Sequence, residues 1–140
     1  MNFEFECRES ATKSLVESSI KFLAKELKLE SSNYTTIVFF ERGMAKREGI
    51  RGSVSQLGPK CLGMVLDPAL DLERLILTVA HEMVHIKQYA RGQVKEIPNR
   101  KSRYWMGKKV TKGYFEQPWE IEAFSKERVL ANKLFQIINK

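Results

Sequence analysis

Histidine and cysteine are scarce: the 140 residues hold two of each. Cys7 and Cys61 form neither a CxxC pair nor a dense pattern. That excludes a disulfide framework, and the expectation is reduced thiols in a cytoplasmic protein. No apolar run approaches the roughly 18 residues of a membrane helix, so no membrane is expected as a partner. Glu4 and Glu6 stand where a signal peptide needs an apolar core, and secretion by that route is not expected. There is no internal repeat, low-complexity tract or linker. Hydrophobic residues make up 43% and charged residues 29%, a globular composition that excludes wholesale disorder. The length fits one domain, residues 1–140, which can bury about two-thirds of its unfolded surface without covalent staples.

Charge is present in excess of one sign. Lys and Arg number 24 against 17 Asp and Glu. Residues 95–113 hold seven basic groups, among them Lys101, Arg103, Lys108 and Lys109, and a single acid, Glu96. The rest of the chain is nearly balanced. A concentrated basic segment suits phosphate or acidic protein, and equally suits a solvated loop.

Phe3, Phe5 and Cys7 alternate with acids, which predicts a short half-buried strand. Ser10 then caps a helix to about Leu29. Residues 35–40, β-branched and aromatic, predict a buried strand. Ile50 to Leu57 and Cys61 to Leu66 read as a hairpin turning at Gly58-Pro59-Lys60. Asp71 caps the clearest helix, Leu72 to Ala90, with Gly92 beyond its end. Residues 93–117 read as a loop or irregular hairpin. Pro118 opens a last helix to about Ile138. This is an α+β domain: an N-terminal helix, a mostly antiparallel sheet of three to four strands, a central helix and a C-terminal helix.

The central helix carries both histidines, in His81-Glu82-Met83-Val84-His85. Positions i and i+4 share a helix face, so both imidazoles can point at one ion. Glu82, about 100° round, can reach a water on that ion. The flanking residues are mostly apolar, and burying two histidines and an acid there is costly unless something satisfies them.

A catalytic zinc takes three protein ligands and leaves one position for water. No third histidine exists, which points to a carboxylate. Gln117-Pro118-Trp119-Glu120-Ile121-Glu122-Ala123 offers Glu120 and Glu122, about 200° apart on a helix. Glu120 shares its side with Ala123, Phe124, Glu127 and Leu130. Glu122 shares its side with Ser125, Lys126 and Lys133 and forms an i,i+4 pair with Lys126. Glu120 is therefore the preferred ligand and Glu122 the alternative.

HEMVH followed by Glu120 in E-x-x-A resembles zincin metallopeptidases with a glutamate third ligand. Together with Trp105-x-Gly107, it resembles small SprT-like or phage-encoded forms. The resemblance covers about residues 61–127. It departs in two places: SprT-type proteases usually supply a third histidine, and many E-x-x-A families place Asp or Asn where Phe124 stands. The resemblance implies a zincin-like fold, one zinc per chain held by His81, His85 and Glu120, and a protein or peptide substrate. It implies Glu82 as the general base of peptide hydrolysis. Tyr104, Tyr114 and Arg103 are positional candidates for steadying the oxyanion or contacting substrate. The strand Cys61 to Leu66 would be the edge on which extended substrate pairs. Glu127 is a candidate support for a ligand histidine.

The alternative is a nucleic-acid-associated protein: an SprT-like protease acting on DNA-bound protein, or a binding module with an inactive site. Residues 95–113 carry that reading, with Tyr104 and Trp105 set among lysines to stack on bases. For Trp105, packing over the core as a lid is the preferred reading.

Overall fold

The computed structural model describes residues 1–6, 10–97, 102–111 and 116–139. Cys7, Lys101 and Tyr114 therefore lie outside the described residues. The elements run β1 (Asn2–Glu6), α1 (Ala11–Glu26), β2 (Thr35–Phe40), α2 (Met44–Glu48), β3 (Gly52–Gly58), β4 (Cys61–Leu66), α3 (Leu72–Ala90), β5 (Val94–Glu96), β6 (Arg103–Trp105), β7 (Lys108–Val110) and α4 (Pro118–Ile138). The fold class is α+β, as the periodicities predict.

Local chemistry explains the helix ends. The Ser10 side chain accepts from Lys13 N–H at 3.1 Å, and Asp71 accepts from Arg74 N–H at 2.9 Å. Each supplies an acceptor to a first-turn N–H that has none within its helix. Gly92, one residue past the Arg91 cap, sits at φ +68°, a conformation that ends α3 without Cβ strain. Pro118 opens α4 at a position whose N–H would be unpaired anyway.

Four strands form one sheet in the order β1-β2-β4-β3. β1 and β2 pair in parallel, as do β2 and β4, while β3 and β4 form the antiparallel hairpin. The sheet has the expected strand number but is mixed. Of the five pairings among the described residues, three are antiparallel, two of them in a second sheet, β5-β6-β7. Parallel pairing follows from the α1 crossover between β1 and β2, which returns the chain in the same direction. One expectation is corrected here: Cys61–Leu66 is an inner strand, flanked by β2 and β3, so its backbone is already paired. The outer strand beside it is β3.

The core forms where α3 meets α1, α4 and the strands. Ile76, Val79, Ala80, Met83 and Val84 of α3 are fully buried. They pack with Val16, Ile20 and Leu23 of α1, Leu62, Met64 and Leu66 of β4, and Ala123, Ala131 and Leu134 of α4. α3 is thus buried on nearly every side, which holds its polar residues in fixed places.

The short α2 is tied down by Asp67, buried just past β4. Its carboxylate accepts from the backbone N–H groups of Gly43, Ala45 and Ala69 at 2.8–3.0 Å. Burial alone would raise this carboxyl, but the three N–H bonds outweigh it and hold it below the usual range.

Candidate metal centre

His81 and His85 occupy successive turns of α3, and Glu120 lies in the first turn of α4. All three are buried. The Glu120 Oε1 atom lies 2.9 Å from His81 Nε2 and 3.0 Å from His85 Nε2. One donor atom from each residue falls within 4.8 Å of the others, forming a group able to hold a metal.

Gln88 decides which nitrogen of His85 carries its proton. The Gln88 Nε2 amide donates to the Trp119 carbonyl and to Glu122 Oε1, both at 2.9 Å. That fixes the amide orientation and turns its Oε1 toward His85 Nδ1 at 2.8 Å. An acceptor there places the proton on Nδ1 and leaves the Nε2 lone pair facing Glu120. For His81, Glu127 Oε1 lies 3.6 Å from Nδ1, within ion-pair range but too long for a hydrogen bond. It favours the same tautomer by charge. Two imidazole lone pairs and a carboxylate oxygen then converge. A proton reconciles them as an ion pair, and a divalent cation reconciles all three at once.

With no ion, the electrostatics follow the proton route. Burial works against a charged His81, but Glu120 and Glu127 overcome it and hold the imidazole at about 9, so a metal must displace that proton to bind. Burial raises Glu120, but the two imidazoles that face its Oε1 atom bring it down to about 2. Glu120 is therefore anionic at neutral pH, as a ligand must be.

Glu82 lies beside this trio and is 5% exposed. Among the described residues its Oε2 atom has no hydrogen-bond partner, although it is buried. Burial pushes this carboxyl up, and the neighbouring imidazoles of His85 and His81 pull it back. Gly52 of β3 packs against it: a Cβ there would fall 2.8 Å from Thr78 Cγ2 and 3.1 Å from Glu82 Cγ. Any side chain at position 52 would force Thr78 to shift and would crowd Glu82, so glycine lets the outer strand approach α3.

The other sequence candidates fall as follows. Glu122 lies apart from the trio and bridges α4 to α3, accepting from Lys87 Nζ at 2.7 Å, Gln88 Nε2 at 2.9 Å and Lys126 Nζ at 3.1 Å. Arg103 sits half-buried, its guanidinium 5.5 Å from the centre of the Trp119 ring. Trp105 is partly buried against the core, 6.5 Å from Trp119. Tyr104 points to the opposite face of β6 and is exposed. Phe124, at the position where many E-x-x-A families place Asp or Asn, packs edge-on to His81 with ring centres 4.7 Å apart.

Gln88 and Gly52 were missed in the sequence. Gln88 had a signal: an amide three residues after His85, on a helix otherwise buried and apolar, requires polar partners. Replacing it with leucine is expected to weaken metal binding by this group about 10–100-fold, the usual loss when the group behind a ligand histidine is removed. Competition with a chromophoric chelator measures this. Unchanged affinity would mean that Gln88 does not set the His85 tautomer.

Comparison with family models, curated proteins and solved structures found no match for this chain. No helix among the described residues is long and apolar enough to cross a membrane.

Proposed function

We propose that the protein is a zinc-dependent peptidase, with His81, His85 and Glu120 as ligands and Glu82 as general base. One observation carries this reading: a two-histidine, one-carboxylate group converges in a buried site beside an acid whose Oε2 has no partner among the described residues. The donor set, two imidazole nitrogens and one carboxylate oxygen, is that of an open catalytic zinc site and leaves one position for water. What zinc supplies at such a site is a water with its pKa lowered to about 7 and an electrophile for a carbonyl oxygen.

The chain's own residues do the rest. Gln88 and Glu127 orient the two imidazoles from behind. Glu82, desolvated and next to the ligands, takes a proton from the attacking water and delivers it to the leaving amine. β3 offers the substrate a place to lie. The Gln56 N–H points away from β4, donating to Glu96 Oε1 at 3.3 Å, whereas the Arg51 carbonyl accepts from Asp67 N–H on the β4 side. By the alternation of an antiparallel pair, the main-chain groups of Gly52 and Val54 point outward with those of Gln56. Gly52 is the one that touches Glu82. An extended peptide added along this edge would lie beside the general base, bound mainly through its backbone.

The test is to incubate zinc-loaded protein with an unstructured polypeptide and identify new amino termini by mass spectrometry. Cleavage that stops with a zinc chelator and returns with added zinc is expected. No cleavage of any unstructured polypeptide by protein holding one zinc per chain would overturn the reading.

A further inference from the structure

The β5-β6-β7 sheet has a face that the peptidase reading does not use. Lys95 pairs with Tyr104, and Tyr104 pairs with Lys109. Directly paired residues of an antiparallel sheet project to the same side, so the three side chains form one row, about 10 Å across, with the aromatic in the middle. All three are exposed, Tyr104 at 41%. Their neighbours along the strands turn the other way: Val94 is buried, and Trp105 and Val110 pack against the core.

We propose that this face binds single-stranded nucleic acid, with a base stacked on Tyr104 and backbone phosphates on Lys95 and Lys109. Among the described residues, neither lysine forms an ion pair, so both charges are available. Glu96, the one acid on these strands, is turned to the opposite face, where it accepts from Tyr89 O–H at 2.8 Å and from Gln56 N–H. The row is thus purely cationic and aromatic. Packing does not explain Tyr104, because Trp105 on the other face already covers the core. An exposed ring between two cations matches the alternation of stackable base and phosphate along a single strand. A duplex hides its base faces, and an acidic peptide has no use for the ring. The proposal stands on the second sheet alone and is independent of the metal site.

The test is fluorescence anisotropy of the full chain with a labelled 15-nucleotide oligothymidylate, a duplex of the same length and labelled polyglutamate, at 50 and 200 mM NaCl. The oligothymidylate is expected to bind most tightly. Tyr104→Ala should weaken it about 5–150-fold, the loss of one stacked base, and Tyr104→Phe should restore it. Lys95→Ala with Lys109→Ala should reduce the slope of log affinity against log salt by about 1.4, for two phosphate contacts to a single strand. These side chains are exposed, so circular dichroism of the variants should match the wild type. Absence of binding at 50 mM NaCl, or Tyr104→Ala binding as the wild type does, would overturn the proposal. So would duplex or polyglutamate binding as tightly as the oligothymidylate, which would make the face a general polyanion surface.

Discussion

Glu82→Gln is expected to lower peptide hydrolysis about 10²–10⁴-fold while leaving zinc content unchanged. The range is what a positioned general base contributes. Glutamine keeps the size of the side chain and its packing against Gly52 and Thr78, so the site should hold its shape. What it removes is the proton acceptor. Because burial already pushes the Glu82 carboxyl up, the neutral amide should not destabilise the fold by a comparable amount. Zinc content by mass spectrometry and kcat on one peptide measure the two quantities separately. Loss of turnover with zinc retained supports the assigned role. Turnover equal to wild type would remove Glu82 from the chemistry, and loss of zinc would make it a ligand instead.

The second large effect is on stability. Glu122→Ala should destabilise the protein by about 1–3 kcal/mol, the cost of leaving a buried charged donor without its acceptor when the acceptor itself is partly solvated. The Lys87 side chain is 3% exposed and its ammonium meets Glu122 at 2.7 Å. Gln88 loses an acceptor in the same substitution. The effect should depend on pH. Burial raises the Glu122 carboxyl, but hydrogen bonds from Lys87, Gln88 and Lys126 outweigh it and hold it at about 2, against an ordinary 4.5. A depressed carboxylate stabilises fully above its unfolded value and loses that contribution as pH falls through its folded value. The gap between wild type and variant in urea unfolding should therefore be full at pH 7 and shrink from about pH 4.5 toward pH 2. A gap below 1 kcal/mol at pH 7, or one independent of pH, would show that Lys87 finds another partner.

Much of this was legible because local rules decided it. Ser10, Asp71, Pro118 and Gly92 marked helix ends through hydrogen bonds and backbone conformations that their own chemistry dictates. The choice of Glu120 over Glu122 followed from helix angle and the company each keeps. The sheet order was not legible, because nothing within Cys61–Leu66 distinguishes an inner strand from an outer one when both faces are apolar. The strands of the second sheet are three residues each, too short for a period-2 pattern to rise above chance. Glu122 looked solvated beside Lys126, and only the packing of α4 on α3 brings it to Lys87. Gly52 carries no local mark; its reason is the close approach of Glu82 and Thr78 from another element.

The most direct test of the central claim is the zinc content of purified, folded protein, compared with Glu120→Gln. That variant keeps the volume of the side chain and removes the charge that faces both histidines. The expected result is one zinc per chain in the wild type and a marked loss in Glu120→Gln, with circular dichroism unchanged. A folded wild type that takes up no zinc, even when zinc is added back, would contradict the assignment of His81, His85 and Glu120 as a metal centre.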